Sequence, residues 1–335
     1  MTAATPNTST LDPAMPALDR ALDPAVAELA LKQALGKSQP RWSGAVLNRV
    51  QLLRHKPGRR ALVEYELSID GSSGAETLTL LGKIRAKGLD RKTPALMADL
   101  ARNGFAADSA DGVSIPEVMG DIPEFQMWLQ RKVPGVPLTN WLAGADGLNL
   151  ACRVAEAAHQ IHRANVPAPR RHTVDDELRI LRERLELLMG QRPEWRARLE
   201  SVLARCWKQC EPLRTRPTCG VHRDFYPAQV LADDGRLWIL DFDLYCESDP
   251  ALDIGNFLGH ITEQSLRETG TSDALKQVEE TLLEHYLNQV RSFSHYAVAT
   301  YHTLTLVRHI SISTQFPERQ HTTEPLLELC EARLA

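Results

Sequence analysis

"GVHRDFYPAQVLADDGRLWILDFD", residues 220–243, decides how the rest of the chain is read. Its runs from Gln229 to Asp233 and from Arg236 to Asp241 flank Asp234-Gly235, a pair suited to a tight hairpin turn because glycine tolerates positive φ. Pairing outward from that turn sets Gln229 opposite Leu240, next to Asp241. Paired strands lie about 4.8 Å apart, so the Gln229 amide oxygen and the Asp241 carboxylate would reach one magnesium ion. Asp224 lies just upstream, on the loop that enters the hairpin. Three oxygen-bearing side chains thus gather at one end of one hairpin.

Upstream the chain reads mostly as strands. The region 47–55, the run from Ala61 and the run from Thr77 are β-branched or alternating, and turn clusters at Lys56-Pro57-Gly58 and Asp70-Gly71-Ser72-Ser73-Gly74 separate them, as in an antiparallel meander. A short helix is expected over Pro94 to Asn103, with Leu96, Met97 and Leu100 apolar and Gly104 as the stop, then a strand over 124–133. Pro134-Gly135-Val136-Pro137 reads as a hinge. Beyond it the apolar period changes from two to about 3.6. Ala151, Val154, Ala155, Ala158 and Ile161 make one stripe; Leu178, Leu181, Leu185 and Leu188 make another. Helical patterns return around 275–290 and 296–310. The chain is expected to be an α+β protein with a disordered tail (1–20), a strand-rich small lobe (21–133) and a mainly helical large lobe (134–335), with ligands in a cleft between lobes.

Lysine plus arginine (39) nearly balances aspartate plus glutamate (43) in 335 residues, and the net charge of −4 gives no global field favouring nucleic acid or an anionic membrane. The six cysteines show neither a C-x-x-C pair nor the spacing of a disulfide framework, which suits a reducing compartment. Cys206 and Cys210 share a helical face with Leu199, Val202 and Leu203 and read as buried thiols. No basic segment followed by an apolar one opens the chain and no run has transmembrane length, so a cytoplasmic location is expected. Oligomeric state is not legible.

His222-x-Asp224-x4-Gln229, then Ile239-Leu240-Asp241-Phe242-Asp243, then Asp249-Pro250-x-x-Asp253, resembles the aminoglycoside phosphotransferase and choline kinase family in order and spacing. That family's catalytic loop has the form H-x-D-x4-N, followed by I-D-[FW]-[DE] and D-P-x-x-D segments. The resemblance covers about residues 40–315 and is concentrated in 220–255. It implies a protein-kinase-like fold with a small antiparallel-sheet N-lobe and a larger helical C-lobe. The implied activity is transfer of phosphate from ATP, or GTP, with Mg2+, to a hydroxyl of a small molecule. Asp224 would orient the acceptor hydroxyl and take its proton. Asp241 would bridge metal and phosphates, Gln229 would hold the second metal position, and Asp243 would be a further metal contact or a solvated partner of a basic side chain. Lys83 would reach the α- and β-phosphates as a point charge. The turn at Gly58, with Arg59 or Arg60, would cover the phosphates or be an ordinary hairpin turn. His222 and Asp253 would hold the loop.

Departures from the family pattern accompany the match. Gln229 adds a methylene where the family has asparagine, and magnesium tolerates poor geometry badly. No glutamate to pair with Lys83 is evident; Asp99 and Asp90 are the nearest acids. Gln229 and the missing glutamate motivate the alternative of a pseudokinase, a nucleotide- or partner-binding module without turnover. His-Arg-Asp matches protein kinases, but their Asp-Phe-Gly and Ala-Pro-Glu segments are missing. His295, His302 and His309 recur every seven residues, about 10.5 Å apart along a helix, too far to share a metal, though one could line a substrate pocket. Phe225 and Tyr226 would either stack on substrate or pack the loop. A cationic acceptor would require an acidic pocket, for which Asp175, Asp176, Glu177, Glu247 and Asp249 are candidates; they serve equally as helix-capping and loop charges.

Overall fold

The computed structural model describes residues 11–71, 74–290 and 294–335. They divide into two units, the first running to Ala107 and adding Ile115–Pro134, the second made of Asp108–Ser114 and Gly135–Ala335.

In the first unit, three long strands follow the alternation of apolar residues: β1 (Val46–Lys56), β2 (Arg60–Gly71) and β3 (Gly74–Arg85). Ala61, Val63, Tyr65 and Leu67 of β2 all point into the core, at the period of two that a half-buried strand requires. The antiparallel sheet continues from β3 to Met127–Arg131 and ends on Val118–Ile122. The strand expected over 124–133 is shorter, because Pro123–Phe125 coil into a 3-10 turn and Gln126 takes φ 52°. The hairpin partner Val118–Ile122 was not anticipated. Helix α3 (Lys92–Leu100) begins two residues before the expected start, where Asp90 accepts from the amides of Lys92 and Thr93, and Gly104 follows at φ 103°.

The expected tail needs correction. Residues 1–10, like Ser72 and Ser73 of the expected turn, lie outside the described residues. Residues 11–20 are folded: Met15 and Leu18 are buried, and α1 (Ala17–Leu22) leads into α2 (Pro24–Ser38). Asp23 caps α2 through the amides of Ala25 and Val26, with Pro24 at the first helical position. Leu18, Ala21, Ala27, Leu31 and Leu35 pack into the core with Trp42, Tyr65 and Phe125. The alanines of these helices bury much of one face, yet the composition of residues 1–20 reads as a tail. The small lobe's expected range, 21–133, is therefore too late at its start. It also wrongly includes 108–114, since Val113 and Ser114 pair with Leu237 and Trp238 of the second unit.

The second unit is mainly helical: α4 (Gly147–Arg163), α5 (Val174–Gln191), α6 (Arg196–Cys210), α7 (Ala251–Thr269), α8 (Lys276–Gln289), α9 (His295–Ser313) and α10 (Thr323–Leu334). Both expected stripes, on α4 and α5, are buried, as are Cys206 and Cys210. Helices α7 and α9 run unusually close. A Cβ on Gly255 would lie 2.5 Å from Tyr301 Cβ, and one on Gly259 2.6 Å from Thr305 Cβ, so only glycine permits this approach. Among the described residues no helix is long and apolar enough to cross a membrane.

Candidate active site

Asp234 (φ 40°) and Gly235 (φ 79°) form the turn between Val230–Asp233 and Arg236–Ile239. Positive φ at both positions is the turn whose twist matches that of the strands. The register runs outward from Asp233 opposite Arg236 to Val230 opposite Ile239, and Leu240 N donates to Gln229 O at 2.8 Å. Gln229 and Leu240 face each other as the Asp-Gly turn predicts. The next residue, Asp241, sits at φ 63°, ψ 62°, a strained conformation for a non-glycine residue. The Gln229 side chain turns its amide nitrogen towards Asp224 Oδ2, 3.4 Å away, and Tyr226 Oη, 3.5 Å away.

The loop bearing Asp224 is anchored by one helix. Asp253, fully buried in the first turn of α7, accepts from His222 N (2.8 Å) and Arg223 N (2.7 Å), and contacts His162 Nε2 at 3.0 Å. The Asp253 carboxylate therefore holds the backbone immediately before Asp224, where Arg223 has φ 70°. His222 is also fully buried, and its Nε2 bonds Leu240 O at 2.7 Å, tying the loop to the hairpin. One turn along α7, Asn256 donates to Phe225 O at 2.8 Å, fastening the other side of Asp224. Phe225 packs against His222 and Phe257, whereas Tyr226 stacks on His260 with centroids 4.3 Å apart. The two aromatics thus have different tasks.

One carboxylate oxygen of Asp241 and one of Asp243 is buried. Among the described residues no three His, Cys, Asp or Glu side chains gather tightly enough to cage a metal. A pair of carboxylates fits magnesium, which completes its shell with phosphate oxygens and water rather than with an all-protein cage.

In the first unit, Lys83 lies near the end of β3, between Leu62 and Trp128 of the flanking strands, with Nζ 5.0 Å from the centroid of the Trp128 ring. Neither suggested acid is placed for it alone: Asp90 caps α3 and pairs with Arg85, and Asp99 pairs with Arg102. Gly58 (φ 64°) occupies the β1–β2 turn with Arg59 exposed beside it. The Gly58 amide donates to Asp12 Oδ2 at 2.8 Å, and the same oxygen lies 2.8 Å from His55 Nε2.

Asp224 opens on a cavity of about 400 Å³ within the second unit. Arg184, Arg223, Arg267, Arg308 and Arg319 line it, with Glu263, Tyr226, His260 and His309. The acids suggested for a cationic acceptor are absent from this lining. Asp176 is in the capping box of α5, Asp175 pairs with Arg214, Asp249 with Arg216, and Glu247 accepts from Thr218. Glu177 is buried against His172 at 2.6 Å, Arg223 at 3.6 Å and Arg308 at 3.8 Å. Burial pushes its carboxyl up, but the His172 bond and the two arginines outweigh this and hold it at about 2. Of the three histidines at seven-residue spacing, His302 bonds Thr262 and only His309 lines this cavity. Sequence reading missed Asn256 and, apart from Arg223 of the His-Arg-Asp segment, the arginines. Asn256 lies three residues after Asp253, on the same helix face, a spacing that could have flagged it. The arginines come from separate segments and carry no shared pattern.

A model of the phosphotransferase enzyme family matches residues 81–293. No curated protein matches the chain. Among solved structures, a choline kinase from Cryptosporidium parvum is 14% identical, covers 93% of this chain and 95% of its own, and superposes with a TM-score of 0.59. A spectinomycin phosphotransferase solved with ADP and spectinomycin is 12% identical, with 86% and 94% covered and a TM-score of 0.58. A glucosamine kinase in complex with glucosamine, ADP and inorganic phosphate is 15% identical, with 93% and 82% covered and a TM-score of 0.57. At these identities the likeness is one of fold, and the fold is kinase-like.

Proposed function

The chain belongs to the phosphotransferase enzyme family, and we propose that it transfers the terminal phosphoryl group of ATP to a hydroxyl of a small molecule, with Asp224 as the base. The observation that carries this reading is the placement of Asp224: its loop is held on both sides by Asp253 and Asn256, and it lines a cavity large enough for a small molecule. The acceptor oxygen forms the new bond to the γ-phosphorus while the bond between that phosphorus and the β–γ bridging oxygen breaks. The bridging oxygen keeps the electron pair and leaves with ADP. The hydroxyl proton passes to Asp224 and then to solvent. Such a transfer needs little covalent work from the protein, which must hold acceptor and nucleotide in line and balance charge.

Asp241 and Asp243 would hold magnesium, which neutralises charge on the β- and γ-phosphates when bound. Lys83 and the turn at Gly58 and Arg59 would serve the nucleotide's phosphates, with the Gly58 amide passing from Asp12 to a phosphate oxygen. The relatives solved with ADP support an adenine nucleotide over GTP. Gln229, whose amide approaches Asp224, would orient the base as well as, or instead of, completing the metal shell. No observation favours a module without turnover.

The test is ADP release in the presence of ATP and magnesium, together with thermal shift. Wild type should be stabilised by ATP in a magnesium-dependent way, and Asp241→Ala should lose that shift. Asp224→Asn should keep the shift and lose ADP release by at least about a hundredfold. Equal ADP release from Asp224→Asn and wild type would overturn the assignment of the base.

A further inference from the structure

The cavity on which Asp224 opens is cationic. Five guanidinium groups line it: Arg184 from α5, Arg223 beside the base, Arg267 from α7, Arg308 from α9, and Arg319 beyond it. The lining has only two carboxylates, Asp224 and Glu263. Glu263 is buried and shared between Arg267 at 3.2 Å and Arg319 at 4.0 Å. Glu177, outside the lining, is shared in the same way by Arg223 and Arg308. The fifth cation is left over: half-buried Arg184 makes no ion pair or hydrogen bond among the described residues.

The charges converge rather than merely coexist. Burial, followed by the charges of Arg308, Arg319, Arg267 and Arg184, drives His309 down to about 3 and keeps it neutral. His309 lines the cavity at 2% exposure, and its Nε2 is buried with no hydrogen-bond partner. Burial and the neighbouring Arg308 likewise lower the Arg184 guanidinium, outweighing the pull of the Glu177 carboxylate. Clustered like charges in a partly dry site repel one another strongly, and a cationic acceptor would add to that repulsion. An anion would relieve it, and guanidinium groups match carboxylate and phosphate oxygens in pairs.

We propose that the acceptor is a small hydroxyl-bearing anion, its carboxylate or phosphate held by Arg184 and the adjoining guanidinium groups while its hydroxyl reaches Asp224. This rests on the phosphotransfer reading above for the hydroxyl, but the anion site stands on the cavity alone.

The experiment is thermal shift of the full chain at low ionic strength with saturating ADP and magnesium, so that the nucleotide site is already filled. The probes are glycerate for a carboxylate, glycerol 3-phosphate for a phosphate, glycerol for a neutral alcohol and choline for a cation. At least one anion should raise Tm saturably, and which of the two does so tells carboxylate from phosphate. Glycerol and choline should leave it unmoved. Arg184→Gln should weaken the anion's apparent affinity at least about tenfold, and Arg184→Lys, keeping the charge, by less. Stabilisation by choline but not by either anion, no response to either anion, or an equal response in wild type and Arg184→Gln would each overturn the proposal. Loss of the ADP shift with the anion response intact would instead count against the phosphotransfer reading.

Discussion

Asp253→Ala tests the claim that a single carboxylate sets the position of the base. The two Asp253 oxygens accept the amides of His222 and Arg223 at 2.8 and 2.7 Å, in a site with no solvent exposure, and a third contact reaches His162 at 3.0 Å. Truncation leaves two buried amides unpaired, at about 1–3 kcal/mol each. Breaking a buried charged network by removing one partner costs about 3–5 kcal/mol, so the two estimates overlap near 4 kcal/mol. At roughly 2–4 °C per kcal/mol for a unit of this size, Tm should fall by about 8–16 °C. Asp253→Asn keeps one oxygen acceptor and should lose about half as much. Thermal unfolding followed by circular dichroism, beside ADP-release kinetics at a temperature where both variants remain folded, reads both consequences. In the folded fraction kcat should fall more than KM for ATP rises, because the displaced group is the proposed base. A Tm for Asp253→Ala within about 2 °C of wild type would show that the loop does not depend on this carboxylate, and the reasoning would fail.

Three further outcomes are expected. Acid should destabilise the second unit from two directions. His309 sits at about 3 when folded, so the unfolded chain takes up a proton that the folded one refuses as pH falls from about 6.5 towards 3. Glu177 sits at about 2, so its contribution is intact above about 4.5 and is lost as pH falls through 2. Urea unfolding at pH 7 and pH 5 should show the first loss, and His309→Asn should reduce its slope by up to one proton, about 1.4 kcal/mol per pH unit. Gln229→Asn shortens the arm that reaches Asp224, and should change the magnesium concentration needed for half-maximal ADP release while leaving Tm within about 1 °C; an unchanged magnesium curve would count against any metal role for Gln229. Asp12→Ala releases the Gly58 amide from its carboxylate and should tighten ATP in a thermal-shift titration at some cost in Tm; unchanged ATP affinity would remove the Gly58 turn from the phosphate site.

The hairpin was legible because its turn chemistry fixes its register: once Asp234-Gly235 is the turn, Gln229 must face Leu240, and Asp241 follows. Local rules of that kind also placed β1 to β3 and the stripes on α4 and α5. Residues 11–20 were read as tail because alanine, threonine and proline suggest one by composition, and α2 went unread within the small lobe, because the Asp23 cap and the buried spacing from Leu18 to Leu35 matter only against a sheet. The character of the acceptor cavity was hidden for a different reason. Arg184, Arg267, Arg308 and Arg319 lie as many as 135 positions apart and meet only through helix packing, and a chain of net charge −4 gives no hint of a local cationic pocket. Even His309, recognised in the seven-residue series, takes on meaning only from those neighbours.

The glycine contact between α7 and α9 works as a calliper. Asp253 and Asn256, which hold the base, and Glu263 and Arg267, which face the cavity, project from one jaw; Arg308 and His309 project from the other. With Gly255 and Gly259 at backbone distance from Tyr301 and Thr305, the opening is set by two main chains in contact rather than by side-chain rotamers. Side chains along the jaws can then be exchanged for others without changing the gauge, so a lineage could trade one acceptor for another while the carboxylate proposed to take the proton keeps its place.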